Sequence, residues 1–349
     1  MKKMMMMPVM LAVLLTGSAA LASTPLGGLA VALSPGGNPL VSAGDSRVLY
    51  VLDSGKMEVS RRIWLGVCIV DLQFSRDGSI LLAEDTDGTV HAIDTKTWQV
   101  QKQMQKAGLM TAAQPADLMA GLNPDYNGHI IRFLSMTDLS EKGKISFAKE
   151  QKVVSMGLDA AAGKLAVLLE SVADESESKG AKPPADLRGT ALEEFRLKND
   201  GKTAMFMLFK VPDGTKLSEH KLWYSASSSG WKILFHGDNA LIINYSNLNA
   251  QISPSGEITL FSLDNSFNYG MGMSADQKIF MSGGLSHGTY TRVEGMNKVQ
   301  FKLDRLSGWP EYFKGFAVAA DGTAYGSTSA YRIIRISPAG TVDKSFPVF

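Results

Sequence analysis

The chain predicts an all-β fold, a seven-bladed β-propeller of four-stranded antiparallel blades. Three observations carry that reading. A short apolar run, a Gly/Asp/Pro turn, an alternating strand and a second turn recur seven times at a spacing near 41 residues. A second, independent turn marker keeps the same period. The residues between markers alternate apolar and polar, as strands do that bury a face against a neighbouring sheet.

The clearest copy runs from Val70 to Val100. It reads Val70 to Phe74, a Ser75-Arg76-Asp77-Gly78 turn, Ser79 to Glu84, Asp85-Thr86-Asp87-Gly88, then Thr89 to Asp94. The turn after each first strand is Ser34-Pro35-Gly36-Gly37, then Ser75 to Gly78, then Gln114-Pro115-Ala116-Asp117. It continues as Asp159 to Gly163, His236 to Asn239, Ser274 to Gln277 and Ala319 to Gly322. Gly and Asp suit these places because the chain reverses tightly and both tolerate positive φ or bond their own backbone.

The second marker, between third and fourth strands, is Leu52-Asp53-Ser54-Gly55-Lys56 in the first blade and Ile93 to Thr97 in the second. It is Ser135-Met136-Thr137-Asp138 in the third, Val211 to Thr215 in the fourth, and Ile252 to Gly256 in the fifth. Leu303-Asp304-Arg305 and Ile336 to Gly340 complete the set. Leu40, Ile80, Leu82, Leu165, Val167, Leu169, Leu241, Ile243 and Ile279 are the residues expected between sheets. The chain is expected to enter on an inner strand, Leu29 to Leu33, and to leave on an outer strand, Thr341 to Val348. No terminal strand is then exchanged, and the ring closes by side-chain packing.

Residues 1–22 read as an export signal, with Lys2 and Lys3 ahead of the apolar Met4–Thr16 and a small-x-small site at Ala20-Leu21-Ala22. The propeller domain is then 23–349, and no later stretch is apolar enough to cross a membrane. Losing Lys2 and Lys3 takes the basic residues from 35 to 33, against 34 acidic ones. Such a balance offers no electrostatic footprint for nucleic acid or anionic lipid. Cys68 is the only cysteine, so no internal disulfide forms, and its apolar neighbours predict a buried, inert thiol.

The fourth and fifth turn markers are 77 residues apart, well beyond one period. The surplus is an insertion over 172–200 in the fourth blade. Its Ser/Glu/Lys/Pro-rich part, 172–187, predicts a loop without a core of its own. Leu192 to Leu197, Asn199-Asp200-Gly201 and Ala204 to Phe209 predict a hairpin.

Asp77-Gly78, Asp87-Gly88 and Ile93-Asp94-Thr95-Lys96-Thr97 resemble the repeats of WD40-like and YVTN-type propellers, including the quinoprotein amine dehydrogenase β-chain-like superfamily. The resemblance spans nearly the whole mature chain. It implies the fold; propellers of this kind serve as enzymes and as binding proteins alike.

The search for chemistry finds little. His91, His129, His220, His236 and His287 show no metal-ligand spacing, and His91, alternating with Val90 and Ala92, predicts an edge or surface residue. Asp85-Thr86-Asp87-Gly88 places carboxylates two apart but lacks the rest of a calcium loop, so a β-turn is expected. Gly284-Leu285-Ser286-His287-Gly288 spells Gly-x-Ser-x-Gly without the strand-to-helix elbow that motif needs. No metal or cofactor is expected.

Aromatic and Asn residues near the fifth blade suggest a contact surface. The expected partner-binding residues are Trp231, Tyr245, Asn247 and Asn249 in an exposed loop region, with Ser286 and His287 in the glycine-rich loop. The functional expectation is a non-catalytic, protein-binding platform in a bacterial envelope, periplasmic or secreted. The alternative is a lactonase, lyase or dehydrogenase-like propeller with a site at the channel mouth.

Overall fold

The computed structural model describes residues 29–122, 129–149, 151–170, 181–200, 202–224, 232–243, 248–262, 269–304 and 311–347. The expected export signal and most of its flanking sequence lie outside them, as does 172–180 of the insertion.

The described residues form 28 strands. The first sheet is β1 (Leu29–Leu33), β2 (Leu40–Gly44), β3 (Val48–Asp53) and β4 (Glu58–Trp64). The second is β5 (Ile69–Phe74), β6 (Ile80–Asp85), β7 (Val90–Asp94) and β8 (Val100–Met104). The third is β9 (Gly108–Ala113), β10 (Leu118–Leu122), β11 (Ile130–Ser135) and β12 (Glu141–Ser146). The fourth is β13 (Lys152–Leu158), β14 (Lys164–Glu170), β15 (Lys202–Lys210) and β16 (Lys216–Tyr224), with helix α1 (Gly189–Asp200) between β14 and β15. The fifth is β17 (Lys232–His236), β18 (Asn239–Ile243), β19 (Leu248–Ile252) and β20 (Ile258–Ser262). Last come β21 (Gly270–Met273), β22 (Ile279–Gly283), β23 (His287–Arg292) and β24 (Asn297–Lys302), then β25 (Phe313–Val318), β26 (Ala324–Thr328), β27 (Arg332–Ile336) and β28 (Val342–Pro347).

Each of the first five sheets is a sequential antiparallel meander. The last eight strands join as one sheet, because β21 and β25 pair in parallel at Met271 and Gly315. Each half of that sheet is again a four-stranded antiparallel meander. The fold is thus an all-β, propeller-type array of four-stranded units.

Burial explains the radial order. The second strands β2, β6 and β26 are buried throughout, whereas the fourth strands β4, β8 and β28 are largely exposed. Alternation sends successive side chains to opposite neighbours. Leu165, Val167 and Leu169 of β14 pack with Ile131 and Phe133 of the third sheet, while Ala166 and Leu168 pack with Ile233 and Phe235 of the fifth. One core serves each junction. The cluster of Leu40, Tyr50 and Leu52 with Tyr325 and Ile333 joins the first sheet to the β25–β28 half. There β1 packs on both β5 and β25, and among the described residues no strand of the first sheet pairs with the β25–β28 half. Side chains tie the closure further: Arg335 Nη1 donates to the Gly55 carbonyl at 3.0 Å, and the Tyr331 hydroxyl donates to Asp45.

The seven turns after first strands all fall where the sequence places them, the third as a short 3₁₀ segment at Gln114–Ala116. Eight of the nine expected inter-sheet residues are buried, and Ile279 is half-buried against the Met281–Tyr290 cluster. Four expectations need correction. The third-to-fourth-strand turn of the β21–β24 unit is Val293–Met296, not Leu303 to Arg305, which follows β24. Leu192 to Leu197 is helical rather than one arm of a hairpin. Ala, Leu, Glu, Arg and Lys are strong helix formers, and Glu194 and Lys198 form an i,i+4 pair at 2.7 Å. Asn199 and Asp200 are then the last residues of the helix rather than part of a hairpin turn. Cys68 is half-buried, its sulfur 3.9 Å from the Asp45 carbonyl oxygen. His91 is buried, its Nε2 2.7 Å from Asp85 Oδ2 and its Nδ1 3.0 Å from Gln103 Nε2. The polar chain Asp85–His91–Gln103 satisfies a ring that strand alternation alone places at an edge or on the surface. The Asp85 turn itself is as expected: Oδ1 accepts the N–H groups of Asp87 and Thr89, both at 2.9 Å.

The first strands crowd together, and glycine permits it. A Cβ on Gly157 of β13 would stand 2.3 Å from the Ile233 carbonyl oxygen of β17. Gly157→Ala should therefore cost about 1–3 kcal/mol, as overpacking does. A urea titration checks this; an unchanged midpoint would show that the β13–β17 spacing relaxes freely.

Candidate functional site

The unequal ends of the sheets locate the site. In an antiparallel meander the connections from strand one to two and from three to four leave one end. Those from two to three, and from four to the next sheet, leave the other. The first kind are uniformly tight turns. The second kind include α1 and its flanks and every internal segment outside the described residues. One end therefore carries the elaborated connections, and the first strands begin there.

The first strands β1, β5, β9, β13, β17, β21 and β25 together enclose a central cavity of about 400 Å³. Four charged side chains line it: Asp71, Glu84, Lys232 and Lys314. Lys232 is the first residue of β17 and Lys314 the second of β25. Asp71 is the third of β5, paired in register with Glu84 near the end of β6. All four thus lie toward the end with the long connections. At the opposite end the Gln277 amide crosses to the Leu158 carbonyl of the fourth sheet at 2.9 Å, narrowing that exit.

Glu84 is buried, and its two oxygens accept the N–H groups of Leu109 at 2.7 Å and Met110 at 2.8 Å. This carboxyl thereby clamps the second sheet to the third, where Leu109 takes a left-handed φ of 49°. Burial, and then the neighbouring Asp71, push its pKa from the usual 4.5 up to about 8 against the pull of those N–H donors. Asp71 is also raised by burial, with the Lys232 ammonium and the Leu72 N–H opposing. Its Oδ1 accepts that N–H at 2.8 Å. Burial lowers Lys314 to about 8, with Asp45 opposing, and its Nζ lies 4.8 Å from the centre of the Tyr312 ring. Met110, Met156, Met271 and Met273 supply much of the apolar lining.

The expected contact residues fall elsewhere. Trp231, Tyr245 and Asn247 lie outside the described residues. Asn249 is not in an exposed loop; it is buried in β19, with its Nδ2 3.5 Å from the Phe261 carbonyl oxygen. Ser286 is buried too, at a φ of 62°. Its N–H donates to the Glu311 carbonyl at 3.1 Å, and its own carbonyl accepts from the Leu303 N–H. His287 is exposed, with Nδ1 3.1 Å from the Leu285 carbonyl oxygen. At the elaborated end Ser286 closes the connection between β22 and β23 and His287 opens β23, with no helix after it.

Sequence reasoning missed the charged lining altogether. Its only traces were a carboxylate, Glu84, next to last in a strand that is apolar up to it, and a lysine opening β17. Among the described residues no three His, Cys, Asp or Glu side chains converge as a metal-holding group.

No family model matches the chain, and no curated protein matches it. Among solved structures it is similar to the hydrazine synthase of Kuenenia stuttgartiensis, with a TM-score of 0.62 over 89% of this chain and 95% of that one. Identity is 12%. The likeness is one of fold. It supports the β-propeller arrangement of these sheets and says nothing of this chain's chemistry.

Glu84 sets a pH dependence. A carboxyl with a raised folded pKa stabilises fully below its unfolded value, and that contribution is lost as pH rises through the folded one. Stability should fall between pH 4.5 and about 8. Above about 8, Lys314 works in the opposite sense. Glu84→Gln, which mimics the neutral carboxyl, should at least halve the fall in urea midpoint across that window. An undiminished fall would assign the effect to other groups.

Proposed function

We propose that the chain is an exported, seven-bladed β-propeller serving as a non-catalytic binding platform in a bacterial envelope. The blade count takes the two halves of the eight-stranded sheet as separate blades, which is supported by the sparse pairing between them, Met271–Gly315 with the isolated bridges Ser274–Val318 and Leu285–Tyr312, and by an apolar core at their interface.

The observation that carries the platform reading is the asymmetry between the two ends. Tight turns cap one end, while long connections and a helix rise from the other. Elaborated loops on a rigid scaffold are where binding surfaces reside. The same end exposes three large apolar side chains: Trp64 at 69%, Leu109 at 50% and Leu285 at 49%. Exposed aromatic and aliphatic anchors of this kind fit a protein partner.

A second reading, a propeller enzyme, draws on the Asp71, Glu84, Lys232 and Lys314 group at the mouth. It is weaker because both Glu84 oxygens are engaged by backbone N–H groups, which suits a clamp better than a proton-transfer group.

Native mass spectrometry of the chain from its own envelope fraction tests the platform. The expected species starts at Ser23 and carries a protein-sized excess. The double variant Trp64→Ser, Leu285→Ser should lose that excess at least tenfold. Val100→Ser with Leu217→Ser, at the opposite end, should keep it. A bare chain, or equal loss from both ends, would overturn the reading.

A further inference from the structure

We propose that the central cavity binds a small zwitterion of the amino-acid or dipeptide class, its carboxylate held by Lys232 and Lys314 and its ammonium by Asp71. This rests on the binding reading above and names the small ligand that the same mouth takes.

The walls have opposite polarity. Asp71 and Glu84 belong to the second sheet. Lys232 opens β17 and Lys314 lies on β25, the strands on either side of β21 in chain order. Around the ring, that arc lies across from β5, and both Asp71 and Lys232 line the cavity, the Lys232 charge favouring the ionised form of Asp71.

Other ligand classes fit worse. An anion satisfying the lysines would be buried facing Asp71, and a cation satisfying Asp71 would face two ammonium groups. A neutral apolar guest would strip water from all of them and return no partner. A molecule with separated charges of both signs meets each wall with its complement. Burial acts on these groups as an enclosed, poorly hydrated site does, raising both carboxyls and lowering Lys314. A cavity of about 400 Å³ lies within the usual range for small-molecule sites. The four lining methionines can adapt to guests of different side-chain shape.

The test is calorimetric titration of the full mature chain with L-alanyl-L-leucine, its N-acetyl derivative and its C-terminal amide. The free dipeptide is expected to bind, and each blocked form to bind at least tenfold more weakly. Asp71→Asn should remove the penalty for acetylation, and Lys232→Met the penalty for amidation. Equal binding of all three ligands, or no binding by the free dipeptide, would overturn the proposal. The ligand comparison uses the unaltered protein, so a variant that fails to fold does not affect it. Trp64→Ser, Leu285→Ser should leave dipeptide affinity unchanged. Partner capture without dipeptide binding would defeat this inference alone, and dipeptide binding without partner capture would defeat only the platform.

Discussion

The constraint on which everything else depends is that no four-stranded sheet here can cover its own two faces. Each leaves apolar side chains on both sides, as β14 does with Leu165, Val167 and Leu169 on one and Ala166 and Leu168 on the other. Stacking neighbours buries both faces at once, and only closure of the ring leaves no sheet with a bare one. The Leu40–Tyr325 cluster performs that closure between the first and last sheets. Among the described residues it does so without exchanging a strand, and side chains hold the seam, with Arg335 and Tyr331 reaching across it.

The same packing creates the cavity. First strands converge on the axis until backbones nearly touch, which is why Gly157 and Gly272 stand where any Cβ would collide with a neighbouring carbonyl, at 2.3 and 2.1 Å. Charged side chains in the residual space are stripped of water on several sides. Glu84 answers by taking backbone N–H donors from the next sheet, so one carboxyl is both a structural clamp and part of the lining. Asp71, Lys232 and Lys314 add charge of both signs to the same lining, which keeps an electrostatic character that a ligand can use.

Repetition explains why some features were legible and others were not. Turn residues are local: Ser75-Arg76-Asp77-Gly78 must reverse the chain whatever surrounds it, so all seven first-strand turns could be read from the residues. The Leu192–Leu197 stretch misled because an Asn-Asp-Gly sequence can end a helix as well as turn a hairpin, and only the run of helix formers before it separates the two. His91 misled because alternation gives the side a residue faces, not whether a partner waits there. Asn249 has polar neighbours that suggest loop surface, but it lies in β19, a third strand with β20 outside it, and is buried there.

The chain by itself determined that it is built of repeated strand–turn–strand units, where most of those units turn, and which residues lie between sheets. Those follow from period-2 alternation and from turn chemistry within a few residues. Tertiary structure alone decided which charges meet. Asp71, Glu84, Lys232 and Lys314 are spread over more than half of the chain, and no local pattern links them. They share a cavity because each lies near the start of a first strand, or beside one, and the ring brings those starts together.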